Sequence, residues 1–190
     1  MEALEAQCVV YESDLRSLLD DFRSYLAEAR LLDERNRWLV IFPCGTSFEE
    51  NVRFGVYYEP PTRPSKASYP FIGIYLQKAV SFVGRVEAVA VVRWDGSKFS
   101  FEEEAGKVTD EHKERIQEAI ARTAYYDLKA EAHRFYVVDG FAKTDAKKGS
   151  PNGIMGFRYL DLSKLINGYT GKENYSSETL AIAINGSIWT

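Results

Sequence analysis

The segment from Phe71 to Phe101 constrains the fold most, because it reads as three β-strands joined by two tight turns. Its sequence is FIGIYLQKAVSFVGRVEAVAVVRWDGSKFSF. Gln77-Lys78 is the first predicted turn, and Asp95-Gly96 is a strong signal for a two-residue hairpin. The central strand would then have about 14 to 16 residues, well above the usual five or six, and we expect it to coil.

These two turns also predict which residues face one another. In the first hairpin each glycine is expected opposite an aromatic ring, which covers the bare backbone and lets the sheet bend. Both registers place the same apolar face inward, and a long coiled strand with a glycine bend suits a small barrel. The predicted facing pairs are Gly73 with Phe82, Phe71 with Gly84, Val92 with Phe99, and Ala90 with Phe101.

The rest of the chain predicts an α+β fold, with a mostly antiparallel curved sheet or small β-barrel and flanking helices. Apolar residues at helical spacing after Ser13 predict an N-terminal helix, and Thr109 or Asp110 should begin a longer one. We therefore expect a helical segment over residues 1–35 and one barrel-like domain over residues 36–190. Further strands are predicted at 37–42, 52–58, 134–141 and 154–160, and a last one from 180–184 together with 188–189.

Composition narrows the class of protein. No apolar run approaches the roughly 18 residues that a membrane span needs, and the acidic start MEALEAQ lacks the features of a signal peptide. We expect a cytoplasmic protein with no membrane contact. Cys8, Cys44, His112 and His133 are its only cysteines and histidines. They offer no zinc spacing or disulfide framework, so we expect no metal, no cofactor and no catalytic residue.

Charge is segregated along the chain, although the net charge is only −4. Residues 53–85 carry five basic side chains and one acidic one, and residues 141–168 carry five and two. Residues 1–52 and 86–140 are acidic. The two basic segments are either solvated surface or the two sides of one positive groove.

Aromatic residues interleaved with cations in these segments suit nucleic-acid binding. Cations neutralise phosphates, and a ring stacks on a base for about 1 to 3 kcal/mol. The predicted phosphate contacts are Arg63, Lys66, Lys78, Lys143, Lys147, Lys148 and Arg158. The predicted stacking residues are Tyr57, Tyr75, Trp94 and Tyr159.

Two stretches of the chain resemble the small barrels of the PUA-like superfamily, which includes the EVE, ASCH and YTH domains. They are FIGIYLQKAVSFVGRVEAVAVV and RFYVVDGFAKTDAKKGSPNGIMGFRYLDL, within about residues 36–166. The resemblance implies a module that binds RNA or DNA, with a modified or unpaired base in an aromatic pocket. It also implies a place in bacterial restriction or defence.

Two other functions remain open from the sequence. The amphipathic N-terminal helix favours a protein-interaction subunit that binds a partner or a second copy through this helix. GIY at 73–75 followed by FVG at 82–84 is similar to the paired tripeptides of GIY-YIG nucleases. That hypothesis would use Tyr75 and Asp139 with a metal, but Phe82 lacks the hydroxyl of the second tripeptide, and a strand follows where that family has a helix.

Overall fold

The computed structural model describes residues 34–190, together with Leu15 and Leu18. The chain divides into two units, residues 1–34 and 35–190, and the second unit holds the sheet. Leu15 and Leu18 are helical, and the rest of the predicted N-terminal helix lies outside the described residues. Within the described residues, no helix has the length and apolar character needed to cross a membrane.

Nine β-strands and three α-helices lie within residues 34–190. The strands are β1 (Trp38–Pro43), β2 (Val56–Glu59), β3 (Phe71–Leu76), β4 (Ala79–Trp94), β5 (Phe99–Ala105), β6 (His133–Val138), β7 (Ala142–Lys148), β8 (Arg158–Asp161) and β9 (Ile188–Trp189). The helices are α1 (Phe48–Phe54), α2 (Asp110–Arg122) and α3 (Ser177–Ile184), with 3₁₀ turns at Glu34–Arg37 and Leu162–Lys164. The secondary structure is α+β, as predicted.

The strands form one mixed, open and curved sheet. Its main order is β2-β6-β4-β3-β1-β8, with β5 and β7 both paired to β4 and β9 paired to β7. β1 pairs with β3 in parallel, as does β7 with β9, and the other pairs are antiparallel. Phe42 of β1 stacks on Tyr57 of β2 at 4.0 Å. Since these strands are four places apart in the order, the sheet curls until their side chains meet.

β4 is the sixteen-residue centre of the sheet and pairs with β3, β5, β6 and β7. The predicted register of the first hairpin holds at the turn and then fails. A β-bulge at Ser81 adds one residue to β4, which shifts every later pair by one position. The predicted facing pairs beyond the bulge are therefore wrong. The observed pairs are Gly73 with Val83, Ile72 with Gly84, and Phe71 with Arg85.

The second hairpin is also wider than predicted. The Asp95 carboxylate accepts hydrogen bonds from the backbone N–H groups of Ser97 at 2.9 Å and Lys98 at 2.8 Å, which closes a four-residue loop. The register is thereby shifted by two residues, which leaves the same side chains on the same face. The observed pairs are Trp94 with Phe99 and Val92 with Phe101.

Valine side chains, and not rings, cover the two strand glycines. A Cβ added at Gly84 would lie 2.7 Å from a methyl group of Val138, and one at Gly73 would lie 3.0 Å from a methyl group of Val80. The predicted aromatic cover is therefore wrong. β6 lies so close to β4 at Gly84 that any larger residue there would overlap Val138.

The apolar core has three parts. The inner cluster fills the curl of the sheet, the α2 cluster lies between the sheet and α2, and the α3 cluster lies between the sheet and α3. The inner cluster includes Val40, Phe42, Tyr57, Ile72, Ile74, Val89, Tyr136 and Val138. β4 contributes residues to all three clusters. Because each bulge shifts the pairing by one residue, it changes the face, and so the cluster, that the following β4 side chains join.

Two predicted strands are wholly or partly helical. Residues 48–54 form α1, which ends at Gly55 with a φ of 60°, a left-handed conformation that favours glycine, so only Val56–Glu59 remains a strand. Residues 177–184 form α3, whose N-terminus is capped by the Ser176 side chain. The segment between the predicted strands 134–141 and 154–160 begins with a further strand, β7. α2 begins after Thr109, within the predicted limits.

Candidate functional site

A fully buried ion pair lies where the loop 60–70 passes over the sheet. Lys66 Nζ lies 3.2 Å from Glu59 Oε1, and both side chains are enclosed. The Tyr136 hydroxyl donates to the same Glu59 oxygen at 3.0 Å, and the Lys66 backbone N–H donates to that hydroxyl at 3.0 Å. These hydrogen bonds offset part of the desolvation of two charges removed from water.

Arg134 of β6 ties the same loop to the sheet. Its Nε lies 2.7 and 2.9 Å from the two carboxylate oxygens of Glu104, the extra residue of a β-bulge in β5. Its other nitrogens donate to the backbone carbonyls of Arg63 at 2.9 Å and Pro61 at 3.2 Å. Burial acts to raise the pKa of Glu104, but the hydrogen bonds from Arg134 and Ser65 outweigh it and lower that pKa. The loop backbone is therefore anchored from beneath.

A cavity of about 270 Å³ opens beside Glu59, and we call it the tyrosine cavity. The loop after β1, the end of β2 and Arg63 form most of its wall. The Tyr58 ring stands nearly perpendicular to the rings of Tyr126 and His133, at 6.1 and 6.2 Å between ring centres. The aromatic and charged residues that line the cavity are Tyr57, Tyr58, Tyr126, His133, Glu59 and Arg63.

The polar atoms of this cavity are hydrogen-bonding groups and not nucleophiles. Burial raises the pKa of Tyr57 and of Tyr58, so both hydroxyls stay protonated at neutral pH. The Tyr58 hydroxyl is buried with no hydrogen-bond partner among the described residues. Burial also raises the pKa of the Cys44 thiol to about 12, which removes the thiolate that nucleophilic chemistry requires. The cavity therefore offers aromatic faces together with hydrogen-bonding groups.

A second set of rings, the ring cluster, lies where β8 runs along β1. Tyr159 is 44% exposed, and its ring centre lies 5.0 Å from Tyr69, 5.5 Å from Phe157 and 6.4 Å from Trp38. Burial raises the pKa of Tyr159 to about 12. Lys66 Nζ lies 4.2 Å from the centre of the Phe157 ring. The buried Lys66 therefore contacts the ring cluster as well as Glu59.

A third group, the lysine edge, consists of Lys78, Lys143, Lys147 and Lys148. The Lys148 backbone N–H donates to the Lys78 carbonyl at 2.8 Å, and Lys143 and Lys147 lie on β7 beside the start of β4. Lys147 Nζ is 3.3 Å from Asp145. Lys148 donates to the Ser150 hydroxyl and to the Asn152 carbonyl. The two basic segments thus meet twice, once here and once where Lys66 contacts Phe157.

The predicted phosphate contacts are divided among these places. Lys66 is enclosed and paired with Glu59, so it is not a surface cation. Arg63 lies at the tyrosine cavity, and Arg158 is exposed on β8, where its Nη1 donates to the Phe157 carbonyl at 3.0 Å. The other four predicted cations form the lysine edge.

The predicted stacking residues are not gathered in one cleft. Tyr57 lines the tyrosine cavity, and Tyr159 belongs to the ring cluster. Tyr75 is buried in the α3 cluster, 6.1 Å from the Trp189 ring. Trp94 lies at the far end of β4 against Phe99, with 4.6 Å between ring centres. Neither Tyr75 nor Trp94 reaches the tyrosine cavity.

Several residues of this site were missed from the sequence: Tyr58, Glu59, Tyr126, His133, Arg134 and Tyr136. Glu59 had a signal, because it is the single acidic residue among five basic ones in residues 53–85. A lone acidic residue in such a segment indicates an ion pair with one of the neighbouring cations. Tyr58 lies beside Glu59 in β2, and the other four come from β6 and the loop before it, far from the basic segments in sequence.

The residues of the nuclease hypothesis lie in structural roles. Asp139 accepts hydrogen bonds from the Ser177 hydroxyl and from the backbone N–H groups of Arg85 and Ser177, at the start of α3. Tyr75 packs in the α3 cluster. Among the described residues, no group of three or more His, Cys, Asp or Glu side chains is placed to hold a metal ion.

Comparison of this chain with protein-family models, with curated proteins and with solved structures finds no match.

Proposed function

We propose that the protein is a nucleic-acid-binding module that takes one unpaired base into the tyrosine cavity. The observation that carries this proposal is the cavity itself, with three tyrosines and a histidine around a buried carboxylate. Its volume of about 270 Å³ is just under the roughly 300 Å³ at which pockets for drug-sized ligands begin, so it suits one ring system. Aromatic walls hold the faces of a base, and hydroxyls and the Arg63 guanidinium meet its edge.

The surrounding surface supplies the rest of the proposed interface. Tyr159, in the ring cluster, offers a face to a neighbouring base, and Arg158 lies beside it for a phosphate. Arg63 and the lysine edge extend the positive surface. A PUA-like fold and a role in bacterial restriction or defence are further parts of this proposal, supported by the sequence resemblance alone. A cytoplasmic location is also part of it, supported by composition.

Binding of a labelled single-stranded oligonucleotide, followed by fluorescence anisotropy, tests the proposal. Tyr126→Ala should weaken binding about 5- to 150-fold, the value of one stacked base. Tyr125→Ala is the matched control, because Tyr125 is as exposed (56% against 53%) but does not line the tyrosine cavity. Equal effects of the two variants, or an affinity that does not fall between low and physiological salt, would overturn the proposal.

A second candidate function is self-association through the N-terminal helix. Leu15 and Leu18, three residues apart on this helix, are 56% and 65% exposed. Apolar side chains on one helix face are typical of a surface that packs against another helix. If this function holds, the double variant Leu15→Asp/Leu18→Asp should convert an oligomer to a monomer in sedimentation. A wild-type protein that is monomeric at high concentration would exclude self-association.

A further inference from the structure

The tyrosine cavity and the ring cluster are both built on the loop 60–70. Arg63, in the first half of this loop, lines the cavity. Tyr69, near its end, lies 5.0 Å from Tyr159 of the ring cluster, measured between ring centres. The two places are therefore neighbours along one short segment of the chain.

Two tight turns limit the distance between these places. The Arg63 backbone N–H donates to the Pro60 carbonyl at 3.1 Å, and the Tyr69 backbone N–H donates to the Lys66 carbonyl at 3.0 Å. The first turn ends at Arg63 and the second begins at Lys66. Because three residue steps of extended chain span at most about 11 Å, the two turns are no farther apart than that.

The buried groups beneath the loop keep this spacing fixed. Lys66 Nζ lies 3.2 Å from Glu59 in the cavity wall and 4.2 Å from the centre of the Phe157 ring in the ring cluster. Arg134 donates to the Arg63 carbonyl at 2.9 Å. The loop is thus fastened at both places, and their separation is a property of the fold.

Tyr159 gives the ring cluster an accessible flat surface. It is 44% exposed, and the rings of Phe157 and Trp38 stand nearly perpendicular to it, at 78° and 79°. These neighbours hold the Tyr159 ring in one orientation. A base of any identity stacks on such a ring, because every base has a π-face.

We infer that the protein binds two consecutive unpaired nucleotides, with one base in the tyrosine cavity and the next base on Tyr159. This rests on the proposed function and names its substrate as a single-stranded segment, as opposed to one base turned out of a duplex. The neighbours of a base turned out of a duplex stay in the stack, so they are not free to lie on Tyr159. Only two free bases in succession can occupy both places.

Oligonucleotides with abasic positions test this inference at constant charge. Each probe is a single-stranded DNA of about ten nucleotides that keeps every phosphate but carries only one thymine, two adjacent thymines or two distant thymines. Their affinities are measured by displacement of labelled oligothymidylate from the full chain. The adjacent pair should bind about 5- to 150-fold more tightly than the single thymine, because it adds a second stacked base. The distant pair should gain less than about threefold, because it only doubles the ways of filling one place.

Variants of Tyr159 identify the second place. Leucine keeps the apolar bulk but has no flat face, so Tyr159→Leu should reduce the advantage of the adjacent pair to under about threefold. Tyr159→Phe keeps the ring and should keep the advantage. Tyr125→Ala is the matched control, because Tyr125 is 56% exposed and belongs neither to the cavity nor to the ring cluster. It should also keep the advantage.

The outcomes separate this inference from the proposed function. Equal affinities of the adjacent and distant pairs, with oligothymidylate still bound through Tyr126 in a salt-dependent way, would overturn the two-nucleotide site and leave the proposed function intact. An advantage of the adjacent pair that survives Tyr159→Leu would also overturn the inference. Failure of oligothymidylate to bind at low salt would remove both the inference and the proposed function.

Discussion

Cationic side chains are buried beside the loop 60–70, whereas those of the lysine edge lie at the surface. Lys66 and Arg134 are enclosed, and each is paired with a carboxylate, Glu59 or Glu104. Lys147, by contrast, is well exposed and only 3.3 Å from the equally exposed Asp145. Lys66 and the lysine edge both come from the two basic segments, yet only the lysine edge offers cations to a polyanion at the surface.

The contrast between enclosed Lys66 and exposed Lys147 indicates that burial decides whether a charge stabilises the fold or is available for binding. Breaking a buried pair leaves an uncompensated charge in a medium that solvates it poorly, whereas an exposed pair is worth at most about 1 kcal/mol. Substitutions at Glu59 should therefore act on stability, and substitutions at the lysine edge on binding.

Removing the buried anion has the largest expected effect. Glu59→Leu leaves the Lys66 ammonium without a counter-charge and should lower the free energy of unfolding by about 3–5 kcal/mol in urea denaturation. Asp145→Leu removes the anion of the exposed pair and should change it by less than about 1 kcal/mol. Similar losses from the two substitutions would mean that burial does not separate the two regions.

The double variant Glu59→Leu/Lys66→Met shows whether the charge itself is responsible. With both charges replaced by apolar groups, much of the lost stability should return, because a hydrophobic pair of similar volume often replaces a buried ion pair at little cost. If the double variant is no more stable than Glu59→Leu, the loss comes from Tyr136 and Arg134, which also contact Glu59.

Two buried tyrosines provide the next contrast. The Tyr136 hydroxyl bonds both Glu59 and the Lys66 backbone, so Tyr136→Phe should lower the free energy of unfolding by about 1–3 kcal/mol. The Tyr75 hydroxyl is buried without a hydrogen-bond partner among the described residues, so Tyr75→Phe should be neutral or stabilising. Urea denaturation of both variants distinguishes a network that stabilises the loop from simple burial of tyrosine.

Sequence reasoning identified the elements that depend on local signals. The α+β class, the position of β4 and the start of α2 at Thr109 follow from turn residues, alternation and capping. The register of the first hairpin did not follow, because the bulge at Ser81 depends on the pairing of β4 with both β3 and β7. α3 was taken for a strand because Leu180–Ile184 is short and apolar, a pattern that helices and strands share.

The candidate site was predicted less well than the fold class. Arg63, Tyr57 and Tyr159 were predicted as binding residues from their neighbours in the sequence, and they lie at the tyrosine cavity or in the ring cluster. Lys66 was assigned to the surface because composition does not reveal burial, and its partner Glu59 was passed over. The rest of the site could not be found from the sequence, since β6 and the segment before it are brought beside β2 only by the long-range antiparallel pairing of β2 with β6.

Lowering the pH should destabilise the folded protein through Glu104, the partner of Arg134. This is the smallest of the expected effects on the free energy of unfolding. The pKa of Glu104 is lowered in the folded protein, so its contribution to stability is complete above the ordinary glutamate pKa of about 4.3 and is lost as pH falls through the lowered value. Between about pH 5 and that value, Glu104→Gln should make the free energy of unfolding less dependent on pH. Glu102 is an exposed residue of the same strand, and Glu102→Gln should leave the dependence unchanged.

Because Glu104 is partly exposed, solvent screening limits the difference to a fraction of what a buried pair would give. An unchanged pH dependence in Glu104→Gln would show that the bond to Arg134 holds the loop without stabilising the charged form of Glu104.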